Sequence, residues 1–202
     1  ADDVLVKCIS MLPAKLGGVG NLCAFADGCV DTCLNFTGRG TLASTHYARL
    51  ARTLAFQMAR DWAIDRIRYQ LTNAQKLADR KGQTLICRPN MLTDYPWEKT
   101  GLIDDFSRCQ WYDYSKNPKR FGAIRPNYWV TFSRGTNNHD SVVKVLESGG
   151  NVAMVFHNQD GKCGRYAHDQ SLPSMVSVNG KRYPVIDGGL TDYRPSDPRS
   201  IA

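Results

Sequence analysis

No apolar run in this 202-residue chain approaches the roughly 18 residues that a membrane-spanning helix needs, and no membrane partner is expected. Several catalytic signatures are missing as well. There is no Walker phosphate loop, no Gly-x-Ser-x-Gly nucleophile turn and no His-Glu-x-x-His pair. Ordinary nucleotide hydrolysis and serine or zinc peptidase chemistry are therefore disfavoured. Gly17-Gly18-Val19-Gly20 lacks both a strand–helix setting and a following lysine-serine, so it is weak as a phosphate loop. No two cysteines stand as Cys-x2-Cys, the usual half of a structural zinc site. The start, Ala-Asp-Asp-Val-Leu-Val-Lys-Cys, has no positive-then-apolar export design, which favours a cytoplasmic location. No repeat of fixed period and no low-complexity tract interrupts the chain.

What is present begins with seven cysteines, an odd number that argues against a disulfide framework. Three of them, Cys23, Cys29 and Cys33, fall within eleven residues with the spacing Cys-x5-Cys-x3-Cys, flanked by glycines. Thiolates gathered by a glycine-rich loop suit a metal centre. Three readings stand: an iron–sulfur cluster, most simply 4Fe-4S, with one iron left open; a zinc site completed from afar by Cys8, Cys87, Cys109, Cys163, His46, His139, His157 or His168; or an unmetallated loop of small buried or redox-active thiols.

Residues 41–81 contain neither Gly nor Pro. Leu50, Leu54, Met58 and Trp62 form one helical stripe, continued after a shift by Ile64, Ile67, Leu71 and Leu77. The pattern predicts one long helix kinked near Asp61, or two abutting helices, ending at Gly82. This segment carries eight basic residues against three acidic ones, so most of the net charge of +7 sits here. A basic helix face can hold phosphate backbones, making nucleic acid a candidate partner; a merely solvated face is the plainer account.

Beyond Gly82, strand-like runs at Thr84–Arg88, Cys109–Tyr112, Tyr128–Phe132 and Val152–Phe156 alternate with loops and a helix at Ser141–Ser148. Val4–Ile9 reads as a first strand, and Asn179-Gly180 joins a hairpin of Met175–Val178 and Arg182–Ile186. The expected fold is α/β: a partial (β/α) barrel or an open, mostly parallel sheet, with a long N-terminal helical region and a C-terminal hairpin. A complete barrel typically needs about 250 residues. We expect one domain over 1–202, made of a strand and cysteine loop (1–40), a basic helical region (41–82), β/α units (83–160), and a loop, hairpin and tail (161–202).

Polar residues follow the expected strands: Arg88, Asn90 and Asp94; Asp113, Tyr114 and Lys116; Ser133 and Arg134; His157 and Asn158. Ligands of parallel α/β folds bind at the carboxyl ends of strands, so these residues are expected to line a polar pocket for a small molecule or nucleotide. Asp113 and Lys116 could act as acid, base or sugar-binding groups, or simply as an ion pair. His157 is the best single candidate for proton transfer, with Arg88 and Asp113 beside it as catalytic candidates. Asn35 and Arg39, after the last cysteine, join Asn90 and Ser133 as candidate cofactor contacts. Asp187 and Asp192 are expected to cap a glycine-bearing turn.

Cys33-Leu34-Asn35-Phe36-Thr37-Gly38-Arg39-Gly40 carries a family resemblance. So do Arg88-Pro89-Asn90-Met91-Leu92-Thr93-Asp94, Tyr112-Asp113-Tyr114-Ser115-Lys116, Asn127-Tyr128-Trp129-Val130-Thr131-Phe132-Ser133 and Pro184-Val185-Ile186-Asp187-Gly188. Across most of residues 20–190 the chain resembles an uncharacterised family of bacteriophage gene products. The resemblance implies a phage origin and brings no activity with it. In layout alone, three close cysteines after a first strand also resemble radical S-adenosylmethionine enzymes, whose usual spacing, Cys-x3-Cys-x2-Cys, differs. The leading expectation is a phage-encoded iron–sulfur protein with three cysteine ligands and an open iron facing the polar pocket, where S-adenosylmethionine could bind. The alternatives are an electron-transfer or redox-sensing cluster protein, and a zinc- or cluster-stapled nucleic-acid-binding protein using residues 41–81.

Overall fold

The computed structural model describes residues 3–26, 28–156 and 172–202. Its centre is a six-stranded sheet in which five strands run parallel in consecutive order. Strand β1 (Val4–Cys8) pairs with β2 (Thr84–Arg88), β2 with β3 (Gln110–Ser115), and β3 with β5 (Tyr128–Ser133). The far edge of β5 is shared: β4 (Gly122–Arg125) lies antiparallel against its first half, and β6 (Val152–Ala153) parallel against its end. The sheet is open and mostly parallel, with no closed barrel among the described residues. A separate hairpin joins β7 (Met175–Val178) to β8 (Lys181–Pro184). Asn179 and Gly180 both take positive φ there, as a two-residue turn matched to strand twist requires.

Helices α1 (Ala43–Met58) and α2 (Arg60–Lys81) fill the crossover from β1 to β2. They abut at Ala59, two residues before the expected kink, where φ −136° and ψ 59° leave the helical region. The break changes which face is buried. Met58 and Trp62, expected in the apolar stripe, are 73% and 59% exposed, while Thr53 and Phe56 point inward. A stripe drawn through the junction assumes an unbroken helical phase that Ala59 does not keep. On α2 the buried positions are Ala63, Ile64, Leu71, Ala74 and Ala78, and left-handed Gly82 closes the helix. Leu102–Asp105 forms a single-turn α3, and His139–Glu147 forms α4, which buries Val142, Val145 and Leu146.

Register divides the sheet's two faces. Leu85, Cys87, Trp111, Tyr128 and Val130 pack with Phe56, Trp97 and the buried face of α2 in the main core. Phe132, on that same face, packs with α4 and the hairpin in a smaller cluster. The long helices thus cover one side. On the other side Ile86, Tyr112, Trp129 and Thr131 are buried, and the C-terminal segment crosses it. There the Arg199 guanidinium lies 3.7 Å from the Trp129 ring, and Tyr193 meets Tyr112 edge-on. Asn151 anchors the segment by donating to the Pro198 carbonyl at 2.7 Å. No described helix is long and apolar enough to cross a membrane.

Some strands differ from the expected bounds, and one was not expected. The strand expected at Cys109–Tyr112 begins one residue late, at Gln110, and runs on to Ser115, because both its faces are covered. Strand β6 is two residues rather than five. Strand β4 has no apolar alternation to announce it, since Gly122-Ala-Ile-Arg pairs along only one edge.

Candidate functional site

The cysteine loop leaves β1 and folds as a chain of tight turns: the amides of Ala26, Cys29 and Cys33 donate to the carbonyls of Cys23, Ala26 and Val30. Gly28 takes φ +75° within it, and a glycine is needed again where the loop meets α1. A Cβ on Gly40 would stand 2.6 Å from the Leu34 carbonyl oxygen and 2.7 Å from that of Asn35, closer than such atoms approach. Two ties fix the loop to the segment after β2. The Asp94 amide donates to the Leu22 carbonyl at 2.8 Å, and the Cys23 thiol donates to the Leu92 carbonyl at 3.5 Å.

These ties bring Cys23, Cys29 and Cys33 to the wall of one cavity of about 200 Å³. Arg88, Asn90 and Asp94 from the end of β2, Tyr114 and Lys116 from the end of β3, and Ser133 from the end of β5 complete its polar lining. Cys33 is buried, Cys23 half-buried and Cys29 exposed. The Ala14 amide donates to Cys23 Sγ at 3.2 Å, and the Asn35 amide to Cys33 Sγ at 3.5 Å. Burial pushes the Cys23 thiol up to about 11, against the lowering influence of the Ala14 amide, with Asp94 and Cys33 adding to the rise. Lys116 donates to Ser133 Oγ at 2.9 Å across the mouth.

Below the cavity lies a buried polar network. Arg120, 5% exposed, donates to Asp94 at 2.9 Å, to both oxygens of Glu98 at 2.8 and 3.0 Å, and to the Tyr128 hydroxyl at 2.9 Å. Asp94 also accepts from Ser115 Oγ and the Lys116 amide. Tyr128 donates to Asp113, which accepts from Asn90 Nδ2 at 2.6 Å. Complete burial lifts the Asp113 carboxyl to about 7, although Arg120, Arg88 and its hydrogen bonds pull the other way.

The chain belongs to the Gene product 88 family of phage proteins. The family model matches residues 3–202. No curated protein and no solved structure matches this member of the Gene product 88 family.

Of the residues expected at the site, the three cysteines, Arg88, Asn90 and Ser133 share the cavity. Asn90 does so with its side chain already used. Its amide oxygen accepts from Thr93, the Tyr95 amide and Trp97 Nε1, and its nitrogen donates to Asp113 and the Tyr95 carbonyl, so it shapes the wall rather than offering a free contact. Asp113 does not reach the cavity. It is interior to β3, fully buried on the helix-covered face, because the strand continues past it. Asn35 is buried and accepts from Arg49 at 2.8 Å, bracketing loop to helix. Arg39 is exposed on a 3-10 turn, away from the cavity. His157, with Cys163 and His168, lies outside the described residues.

Among the described residues, no three His, Cys, Asp or Glu side chains converge closely enough to hold a metal ion. Cys8, Cys87 and Cys109 lie away from the cavity, so none of them completes a four-ligand zinc site there. The basic helical region is partly committed to the fold. Arg49 and Arg52 bind Ser10, Arg68 pairs with Asp65 and Asp105, and Arg60 stacks on Phe56 and Tyr95.

Asp192 was the least visible participant. Rather than capping its own turn, it accepts from Arg88 at 2.6 Å and from the hydroxyls of Tyr112 and Tyr114 at 3.1 and 3.2 Å. The sequence signal is the alternation Tyr112-Asp113-Tyr114, which places both tyrosines on one sheet face and the carboxylate on the other. Asp187 caps its turn as expected, accepting from the Gly189 amide.

Proposed function

We propose that this phage protein holds an iron–sulfur cluster, most simply 4Fe-4S, on Cys23, Cys29 and Cys33, with the remaining iron open toward the cavity. One observation carries the reading: three thiols of one loop line a single cavity at the carboxyl ends of three parallel strands. The donor set fits a cluster better than one ion. A tetrahedral ion draws its sulfurs to about 2.3 Å from a common centre, whereas a cluster seats each thiolate on a different iron and accepts a wider spread. Backbone amides of Ala14 and Asn35 already donate to Cys23 Sγ and Cys33 Sγ, the kind of N–H···S contact that supports cluster-bound sulfurs. Arg88 and Lys116 place positive charge beside an anionic group. The six described cysteines are all free, as a reducing host cytoplasm keeps them.

When bound, such a cluster supplies single electrons to a ligand at the open iron, S-adenosylmethionine being the candidate. The chain's own contribution is positional. Lys116, hydrogen-bonded to Ser133, and Arg88 orient an anionic group within the cavity. The apolar wall of Phe25, Ala26 and Val30 limits water on the loop side. The partial-barrel description belongs with this reading, because consecutive parallel strands with their long helices on one side describe an arc of such a barrel.

The test is anaerobic purification and reconstitution with iron and sulfide. The native protein should turn brown and retain iron; Cys29→Ala should lose it, while Cys87→Ala, altered in the core, should not. A colourless native protein, or iron content indifferent to Cys29→Ala, sinks the reading. A reducible cluster that leaves S-adenosylmethionine intact under strong reductant would instead point to electron transfer or redox sensing.

A further inference from the structure

The Asp192 carboxylate sits in a ready-made anion cradle. Arg88 from β2 and Tyr112 and Tyr114 from β3 aim three donors at it from the sheet face that the helices leave uncovered. The cradle is more firmly built than its occupant. Tyr112 is 4% exposed and the Arg88 side chain 18%, whereas the Asp192 side chain is 55% exposed. Arg88 is further held over the Tyr114 ring, 4.7 Å from its centroid. Arg88 Nε is buried and has no hydrogen-bond partner among the described residues, so the occupant leaves a donor unused. A buried unmatched donor costs stability unless something else fills it.

We propose that this cradle is the anchoring site for the carboxylate of a small-molecule ligand, and that Asp192 is a placeholder which the ligand displaces. The surroundings describe the ligand's other end. Arg88 and Tyr114 also line the cysteine cavity, and Tyr114 is shared with a second cavity of about 320 Å³ on the same sheet face. In that second cavity Thr131 Oγ1 and Arg194 Nε are buried without hydrogen-bond partners among the described residues, so two further donors face the space. The ligand class is a carboxylate-bearing molecule with additional carbonyl or hydroxyl oxygens. It extends from the cradle past Tyr114. The proposal goes beyond the cluster reading and does not need iron.

An internal occupant lowers apparent affinity by the fraction of time it fills the site, so removing it should expose the true affinity. The experiment is a chemical-shift titration of the iron-free protein with sodium acetate, and separately with inorganic phosphate, at constant ionic strength. Asp192→Asn should bind acetate at least tenfold more tightly than the native chain. The double variant Arg88→Gln with Asp192→Asn should lose that gain, and Tyr114→Phe with Asp192→Asn should weaken binding at least threefold if the arginine variant fails to fold. Equal acetate affinity in native and Asp192→Asn proteins overturns the proposal. So does undiminished binding in the double variants. Phosphate binding more tightly than acetate to Asp192→Asn overturns the carboxylate assignment. Because no iron is present, a failed reconstitution leaves this result standing, and a failed titration leaves the cluster reading standing.

Discussion

Arg120→Met should strongly destabilise the protein by stranding buried charge beside the cavity. Arg120 is 5% exposed at its side chain, and its two acidic partners, Asp94 and Glu98, are 11% and 13% exposed. Removing the guanidinium strands two carboxylates in a poorly solvated place. Breaking a buried ion pair from one side costs about 3–5 kcal/mol, chiefly through the charge left behind. With a urea dependence of about 3 kcal/mol per molar for a chain of this size, the unfolding midpoint should fall by roughly 1 to 1.7 M. A second substitution separates stranded charge from lost packing. Glu98 has Arg120 as its side-chain hydrogen-bond partner, so adding Glu98→Gln to Arg120→Met should restore at least about 1 kcal/mol, whereas Glu98→Gln alone should cost stability. Equilibrium urea unfolding of the native chain, both single variants and the double gives the coupling. A coupling below about 0.5 kcal/mol would refute the claim that Arg120 acts by compensating the buried charge of Glu98.

Three further outcomes are expected. Asp113 titrates near 7 when folded, against about 3.9 in an unfolded chain, so the unfolded state sheds its proton first and stability falls as pH rises between those values. Each tenfold in proton affinity is about 1.4 kcal/mol, which bounds the fall at roughly 4 kcal/mol; Asp113→Asn should remove it, and parallel stability profiles from pH 4 to 8 for the two proteins would contradict this. Gly40→Ala should cost about 1–3 kcal/mol by thermal unfolding, because its Cβ would meet two backbone carbonyls, and an unchanged midpoint would contradict this. Cys23 is held as a thiol well above neutrality, so iron loading must displace its proton and should proceed further at pH 8.5 than at pH 7; pH-independent loading would count against Cys23 as a ligand.

Much of the architecture could be read from local signals. Gly82 and Asn179-Gly180 marked a helix end and a hairpin because positive φ selects those residues. Thr84–Arg88 read as a strand because both its faces are buried. The convergence of strand ends on the cysteine loop followed from parallel topology, where consecutive strands present their carboxyl ends together. Features set by tertiary contact were not legible. Met58 and Trp62 fit a helical stripe, yet the break at Ala59 turned them outward. Asp113 looked like a strand-end residue until the strand's continuation to Ser115 made it interior. Asp192 pairs with Arg88 across 104 residues, and nothing local in a glycine-bearing turn announces such a partner.

An iron–sulfur cluster held jointly by Cys23, Cys29 and Cys33 has a distinct chemical signature. The most direct measurement is an iron and sulfide count on the anaerobically reconstituted protein, read with its absorption and electron paramagnetic resonance spectra. Such a cluster should give roughly four irons and four sulfides per chain, a broad charge-transfer band near the visible region, and loss of all three signals in each single cysteine-to-alanine variant. A native protein without iron or sulfide, or a cluster that survives substitution of any one of the three cysteines, would contradict it.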